Sequence, residues 1–354
     1  MDKIIFFATL VIFPFGQLFK IGIFNLFDIV VFLLATVTFL KKPKYPEWYR
    51  YFLYFLFSAL FSWIANYFIF GNELFFKGLL YLLRFASYSM VAVYITNFIK
   101  DSKMIVKSFL SVSIFSAIFG WIQYFIWPDL TTLKYLGWDD HLLRMVGTFL
   151  DPTYLALIII LGIVIAINGK HSKSLYFLIV SLAFTYSRIS FLILFLILIF
   201  KKKYLGLIIL VLSILILPKM IGEGTNLART VSGNNKLINY EETWQIIKKS
   251  PAIGVGFNNI CPARQFYLDD NNIDSHSCSG SDSSILSLLA TTGIIGLLLF
   301  ISFIGKIPTN HLLVVSFVVV TIHSLFANSL FYPHIMFWLF SLVGLRSEVN
   351  RKRS

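Results

Sequence analysis

Charged residues are scarce in this sequence. Asp, Glu, Lys and Arg make up 13% of the 354 residues, whereas they are about a quarter of an ordinary soluble domain. Hydrophobic residues make up 58%, and apolar runs long enough to cross a hydrocarbon core of ~30 Å recur along nearly the whole chain. The composition excludes a soluble enzyme and predicts a polytopic membrane protein with no separate soluble domain.

Motifs that accompany cofactors are also missing. The chain has no glycine-rich nucleotide cradle, no Cys and His spacing for a metal and no G-x-S-x-G nucleophile motif. These absences argue against a nucleotide-driven pump or a zinc enzyme. The net charge of +13 comes mostly from loop ends rather than one folded face, so nucleic acid is not an expected partner.

The apolar runs predict an all-α fold, a polytopic membrane helix bundle of about twelve transmembrane helices with one long extracytoplasmic loop. Residues 1–218 hold about nine spans, residues 219–283 form the loop with a short amphipathic helix, and residues 284–354 hold three spans and a cytoplasmic tail. Within the loop, Gly233, Asn234 and Asn235 are predicted to form a turn before that helix. The predicted spans are 4–19, 21–40, 50–70, 78–99, 105–127, 150–168, 174–187, 188–201, 204–218, 284–305, 312–328 and 331–346.

Basic clusters set the predicted orientation. They occur at 41–50, 100–103, 169–173, 201–203 and 346–354, and the positive-inside rule assigns the side they share to the cytoplasm. This threading requires residues 174–201 to be two short helices that turn at Ser187 and Arg188; one tilted span is the alternative. The first apolar stretch follows Lys3 without a small-residue cleavage site, so we expect a retained span rather than a signal peptide.

The outer loop ends on Asp282, Ser283 and Ser284, directly before an apolar helix. Asp and Ser are favoured helix N-cap residues, which alone would explain them. The alternative is that the Asp282 carboxylate also acts as a base or orients a sugar hydroxyl. The only two cysteines, Cys261 and Cys278, lie in the same loop, and outside the cytoplasm they could form a disulfide.

Several cations fall on the predicted outer side, where positive charge is normally scarce. Arg84 lies about a turn and a half into its predicted span, and it either snorkels to the interface or binds an anion in a polar cavity. Four other arginines, Arg144, Arg188, Arg229 and Arg264, are each either solvated or together part of a phosphate-binding site. His276, in the same loop as Arg264, is either a catalytic base or a solvated side chain.

Four segments resemble one family in order. "RMVGTFLDPTYLALIII" (144–160) resembles the R-x-x-G-T-F-x-x-P-x-x-x-A start of a span in the O-antigen polymerase and O-antigen ligase superfamily. "FTYSRISFLILF" (184–195) is similar to its S-R turn, and "TWQIIKKSPAIGVGFNNI" (243–260) to its outer helix followed by P-x-x-G-x-G-F. "DSSILSLLATTGIIG" (282–296) is similar to the polar pair and L-x-L-L-x-x-x-G-x-x-G of the next span.

The resemblance implies a multi-spanning glycosyltransferase of the bacterial cytoplasmic membrane, with the loop and active site on the periplasmic or extracellular side. Its donor would be a polyprenyl-diphosphate-linked oligosaccharide, and it implies no metal or cofactor. Membrane lipid, a chain-length regulator and a flippase are the other implied partners. Where the ligase branch usually has a His-Asn type pair, this chain has Asp282 and Ser283, which favours the polymerase branch.

The implied roles can be assigned to residues. Arg188 and Arg229, with Arg84, would stabilise the leaving diphosphate, and Asp282 would orient the attacking hydroxyl. Arg144, Arg264 and His276 would contribute to substrate binding. The alternatives are a ligase that transfers finished glycan to lipid A core or protein, a flippase for the same lipid-linked units, and a scaffold without activity. A flippase is expected to show two related halves, and none are evident here.

Overall fold

The computed structural model describes residues 2–71, 73–136, 138–218, 225–227, 230–273 and 275–345. Across these residues the chain forms fourteen α-helices and one short hairpin, in which Lys20–Ile21 (β1) pairs antiparallel with Phe24–Asn25 (β2). The helices are α1 Asp2–Ile12, α2 Leu26–Leu40, α3 Glu47–Phe70, α4 Glu73–Phe98, α5 Ser102–Ile126, α6 Pro152–Asn168, α7 Ser172–Ala183, α8 Arg188–Phe200, α9 Tyr204–Leu215, α10 Val231–Lys249, α11 Ile260–Leu268, α12 Ser284–Lys306, α13 His311–His323 and α14 Pro333–Gly344.

Helices dominate, as the composition predicts for a membrane protein. Each of the twelve predicted spans contains one of these helices, but among the described residues only four are both long and apolar enough to cross a membrane: α3, residues 75–98 of α4, α5 and α12. The other eight are apolar helices of 10 to 17 residues. The structure therefore supports a helical membrane protein, and the count of about twelve spans stays a prediction.

Three predicted boundaries were wrong, and each has a local cause. The span predicted at 4–19 is interrupted, because α1 ends at Ile12 and a 3₁₀ turn containing Pro14 follows. Helix α4 starts at Glu73 instead of residue 78. The turn predicted at 233–235 lies inside α10. The predicted break between α7 and α8 is confirmed, since α8 begins at Arg188.

Contacts divide the chain into two compact units. The first unit draws on residues 1–30, 101–231 and 311–323, and the second on residues 31–100, 232–310 and 324–354. In the first unit, α6 is buried along nearly its whole length. Its start is fixed by Asp151, whose carboxylate accepts the backbone N–H groups of Thr153 at 2.6 Å and Tyr154 at 3.1 Å, and Pro152 occupies the first turn, where a missing N–H costs nothing.

The second unit is built on α3, α4, α12 and α14, whose contacts are largely aromatic. The Phe52 ring lies 5.4 Å from Phe85 and 5.3 Å from Phe303, and Phe85 lies 5.8 Å from Phe340. Offset and edge-to-face pairs at such distances add stability beyond the area that they bury. They hold the helices that position the candidate site described below.

Helix α12 is broken at Gly293, which has φ 65° and ψ −173°. The segment 251–257 docks into the break: the N–H of Ile294 donates to the carbonyl of Pro251 at 2.9 Å, and the N–H of Val255 donates to the carbonyl of Ala290 at 3.0 Å. Irregular backbone at membrane depth is tolerated where protein groups satisfy it. This part of the loop therefore contacts the middle of α12, a helix long and apolar enough to cross a membrane.

Candidate functional site

Asp282 precedes α12 but does not cap it. The N-cap residue is Ser283, whose hydroxyl accepts the backbone N–H of Leu286 at 3.5 Å. The backbone N–H of Asp282 donates to the side-chain oxygen of Asn239 at 2.8 Å. The capping role expected of this polar stretch thus falls to Ser283 rather than to Asp282.

Helix α10 supplies the groups around the Asp282 carboxylate. The Lys236 ammonium lies 3.5 Å from a carboxylate oxygen, and the Asp282 side chain is 11% exposed. The same ammonium donates to the carbonyl of Phe326 at 2.6 Å, and the Asn239 amide donates to the carbonyl of Gly280 at 3.1 Å. A buried carboxylate requires a compensating charge, and Lys236 provides it. The helix that carries Lys236 is hydrogen-bonded to the chain before α12, at Gly280, and to the chain after α13, at Phe326.

Tyr240 lies one helical turn after Lys236 and completes this face of α10. Its hydroxyl donates to the carbonyl of Leu325 at 2.7 Å. Burial, and secondly the nearby Asp282 carboxylate, raise the pKa of Tyr240 to about 12. The phenol therefore stays protonated at neutral pH and acts as a hydrogen-bond donor beside Asp282.

Arg84 lies deeper in its helix than the sequence suggested. It is about three turns from Glu73, the first residue of α4, instead of a turn and a half from the start of a span. Arg84 is 5% exposed, and its guanidinium carbon lies 4.9 Å from the centre of the Tyr81 ring. The side chain is therefore enclosed by protein, and it stacks on an aromatic ring.

A small cavity of about 20 Å³ adjoins Arg84 in the second unit. That volume holds about one water molecule. Ser287 and Thr291 of α12 contribute its hydroxyl groups, and Asn258, in the loop that docks into α12, contributes an amide. The remaining lining residues are Tyr81, Phe85, Phe257, Phe331 and Met336.

In the first unit, two of the predicted arginines meet at one turn. The Arg144 guanidinium donates to the carbonyl of Thr185 at 3.1 and 3.3 Å. Arg188 is exposed and starts α8 three residues later. The turn thus presents one buried and one exposed guanidinium.

Arg264 has structural partners. It is buried, and its guanidinium forms ion pairs with Glu242 and Asp270. The pKa of Asp270 is lowered, first by the backbone N–H of Asn272 and then by Arg264. These pairs join α10, α11 and the chain after α11, so we assign Arg264 to holding the loop together.

The structure joins Cys261 and Cys278 in a disulfide, with 4.3 Å between their Cα atoms. The pair links α11 to the 3₁₀ turn that includes His276. Arg229 lies outside the described residues. Among the residues that are described, no three His, Cys, Asp or Glu side chains are grouped as a metal site.

The structure adds three residues to those predicted around Asp282: Lys236, Asn239 and Tyr240. Their i, i+3, i+4 spacing in "KLINY" places them on one face of a helix. The sequence carries this spacing, but the turn predicted at 233–235 ends just before Lys236, so the shared helix face was not predicted. Asp282 and Arg84 belong to the second unit, and Arg144 and Arg188 belong to the first.

Comparison with known proteins gives one family match. Residues 142–301 match the family model described as O-antigen ligase. The matched range includes α6 to α11, most of α12, and the carboxylate and arginines described above except Arg84. A search of the curated proteins found no match to the chain.

Proposed function

We propose, from the match of residues 142–301 to the family model described as O-antigen ligase, that this protein is a membrane glycosyltransferase that polymerises polyprenyl-diphosphate-linked oligosaccharide repeat units. The product would be an O-antigen or capsular polysaccharide, made at the outer face of the bacterial cytoplasmic membrane. A flippase would deliver the units, and a chain-length regulator would act on the product. The observation that carries the proposal is the Asp282 carboxylate, which is held by Lys236 and is not used for capping.

The reaction needs one bond to form and one to break. A hydroxyl oxygen of the acceptor sugar attacks the anomeric carbon of the donor, while the bond from that carbon to the diphosphate oxygen breaks and polyprenyl diphosphate leaves. We assign Asp282 to orient the hydroxyl and to accept its proton. The donor is already activated, so this chemistry requires no nucleotide.

Negative charge develops on the leaving diphosphate, and preorganised cations stabilise such charge. Within the second unit, Arg84 is a buried cation beside hydroxyl groups, which supports a role in anion binding. For the exposed Arg188 of the first unit we propose the same role on the basis of its charge, because one guanidinium can donate two hydrogen bonds to phosphate oxygens. We keep Arg229 and His276 as proposed contacts on sequence grounds alone.

A ligase is the second candidate, and the description of the matched family favours it. Such an enzyme would transfer a finished glycan to lipid A core or protein through the same displacement at the anomeric carbon. The polar pair at the start of α12 favours the polymerase instead, because the chain has Asp282 and Ser283 where a ligase usually has a His-Asn type pair. Glycan analysis separates the two.

The test is deletion of the gene followed by complementation, with surface glycan resolved on a gel. We expect the null strain to carry single repeat units on the normal acceptor, and the intact chain to restore a ladder. Asp282→Asn, which keeps the size of the side chain and removes its charge, should lower polymer output by about 10²-fold or more. Arg188→Ala should also reduce the ladder.

Asp269→Asn is the matched control, since Asp269 is exposed and lies in the same loop. It should leave the ladder intact at equal protein abundance. Long chains that accumulate on the polyprenyl carrier in the null strain would identify a ligase instead. Loss of all glycan from the outer face, with units retained inside, would identify a flippase, and a full ladder with Asp282→Asn would remove Asp282 from the mechanism.

A further inference from the structure

A groove in the first unit runs between α1 and α5 and has a volume of about 870 Å³. This lies within the ~300–1,000 Å³ typical of small-molecule sites. Residues that line the groove extend on α5 from Lys103 to Phe119, about 24 Å at the helical rise per residue. The side from α1 and its 3₁₀ turn is wholly apolar, with Phe7, Leu10, Val11, Pro14 and Phe15.

The α5 side of the groove changes character along its length. Lys103, Lys107, Ser108 and Ser111 line the end near the start of α5, whereas Phe115 and Phe119 line the other end. The Phe119 ring lies 5.6 Å from that of Phe15 across the groove. One end of the groove therefore carries cations and hydroxyl groups, and the rest is hydrocarbon and aromatic surface.

The cationic end is arranged for an anion. Lys103 and Lys107 are four residues apart on α5, so they share a helix face, where like charges repel unless an anion lies between them. Asp101 also lines this end of the groove, and its carboxylate accepts the backbone N–H groups of Lys103 at 3.0 Å and Met104 at 3.2 Å. Two lysines against one carboxylate leave this end with positive charge.

The distribution of charge and apolar surface matches one ligand chemistry. We propose that the groove binds a single anionic glycerophospholipid, with its phosphate at Lys103 and Lys107 and one acyl chain along Phe115 and Phe119. The start of α5, a helix long enough to span a membrane, is the level at which a headgroup lies. The proposal does not depend on the glycosyltransferase activity or on which side of the membrane this end faces.

The first test uses native mass spectrometry of the full-length protein released from nanodiscs that contain phosphatidylglycerol and phosphatidylcholine. The intact chain should retain one phosphatidylglycerol in preference to phosphatidylcholine. Each of Lys103→Gln and Lys107→Gln should weaken that preference about fivefold, because a lysine near an anionic lipid contributes about that factor. Lys202→Gln and Lys203→Gln, at exposed lysines of the same unit, should leave it unchanged.

The second test fills the apolar end. Val11 is exposed and lines the groove, so Val11→Trp should displace the lipid without disturbing the interior, whereas Leu212→Trp, on an exposed position of α9, should not. Equal retention in the lysine variants and their controls would overturn the proposal, since lysines that only snorkel to the interface hold no particular lipid. Lysine-dependent retention of a polyprenyl phosphate instead of a glycerophospholipid would also overturn it.

Discussion

The pKa of the Tyr240 phenol responds to the charge on Asp282. Its pKa is raised from 10 to about 12, mainly by burial and then by the Asp282 carboxylate. Stability that comes from the protonated phenol is therefore fully present below pH 10. It is lost as the pH rises from 10 towards 12, because the unfolded chain ionises first.

Tyr240→Phe tests this coupling. The variant loses the hydrogen bond to the carbonyl of Leu325, which should cost about 1 kcal/mol of unfolding free energy. The unfolding free energy of the variant should also decrease less between pH 10 and 12 than that of the unaltered protein. Thermal unfolding of the purified protein across that range measures both effects, with Tyr135→Phe, at a highly exposed tyrosine, as the control. An alkaline fall as steep as in the unaltered protein would contradict the assignment.

At the scale of elements, the break in α12 depends on two glycines. A Cβ at Gly293 would meet the backbone of Ala252, and one at Gly254 would meet the backbone between Thr291 and Thr292, closer than van der Waals contact permits. Both glycines have positive φ, 65° and 73°, which other residues adopt only at a cost. The docked loop and the broken helix therefore accept no side chain at either position.

Gly293→Ala and Gly254→Ala should each lower the unfolding free energy by about 3 kcal/mol, from backbone strain and overpacking together. Both should also reduce the amount of folded protein in the membrane. Gly233→Ala is the matched control: this glycine lies within α10 with open space around it, so alanine should stabilise the helix by about 0.5–1 kcal/mol. Size-exclusion profiles and thermal unfolding compare the three variants. Similar stability of all three would contradict close packing of residues 251–257 against the break in α12.

The elements that the sequence predicted correctly are those with local signals. The buried helix after Asp151 and Pro152 has a cap and a proline in its first turn, and Ser187 before Arg188 marks the start of α8. The break at Gly293 could not be predicted, because "TTGIIG" continues an apolar helical run. Only the carbonyl and N–H groups of a segment about forty residues earlier make that break possible.

At the scale of the whole molecule, the disulfide bears on the orientation of the chain. Disulfides persist outside the cytoplasm and are rare within it, so the bond between Cys261 and Cys278 supports the outer placement of the loop. We expect both thiols to resist alkylation until a reductant is added. Replacing both cysteines with serine should cost about 3 kcal/mol. Labelling of both cysteines in untreated cells would contradict the disulfide and would remove its support for the outer placement.

The arrangement around Asp282 shows why a site is harder to predict than a fold. Apolar runs indicate a membrane helix bundle because composition is summed over many residues. The contact of Lys236 with Asp282 joins positions far apart in sequence, and it depends on where α10 begins and on how the chain after α13 returns to Tyr240. Because a turn was predicted at 233–235, the start of α10 was placed too late in the sequence, and the contact between Lys236 and Asp282 was not predicted.

The broken helix also has a consequence for biosynthesis. A ribosome completes residues 251–257 before it reaches Gly293, since domains and their parts emerge from the N-terminal end. When α12 enters the bilayer, the carbonyl and N–H groups that its broken turn requires are already present on the preceding segment. The order of the sequence thus allows the interrupted helix to enter the bilayer with hydrogen-bond partners already available for the backbone groups of its broken turn.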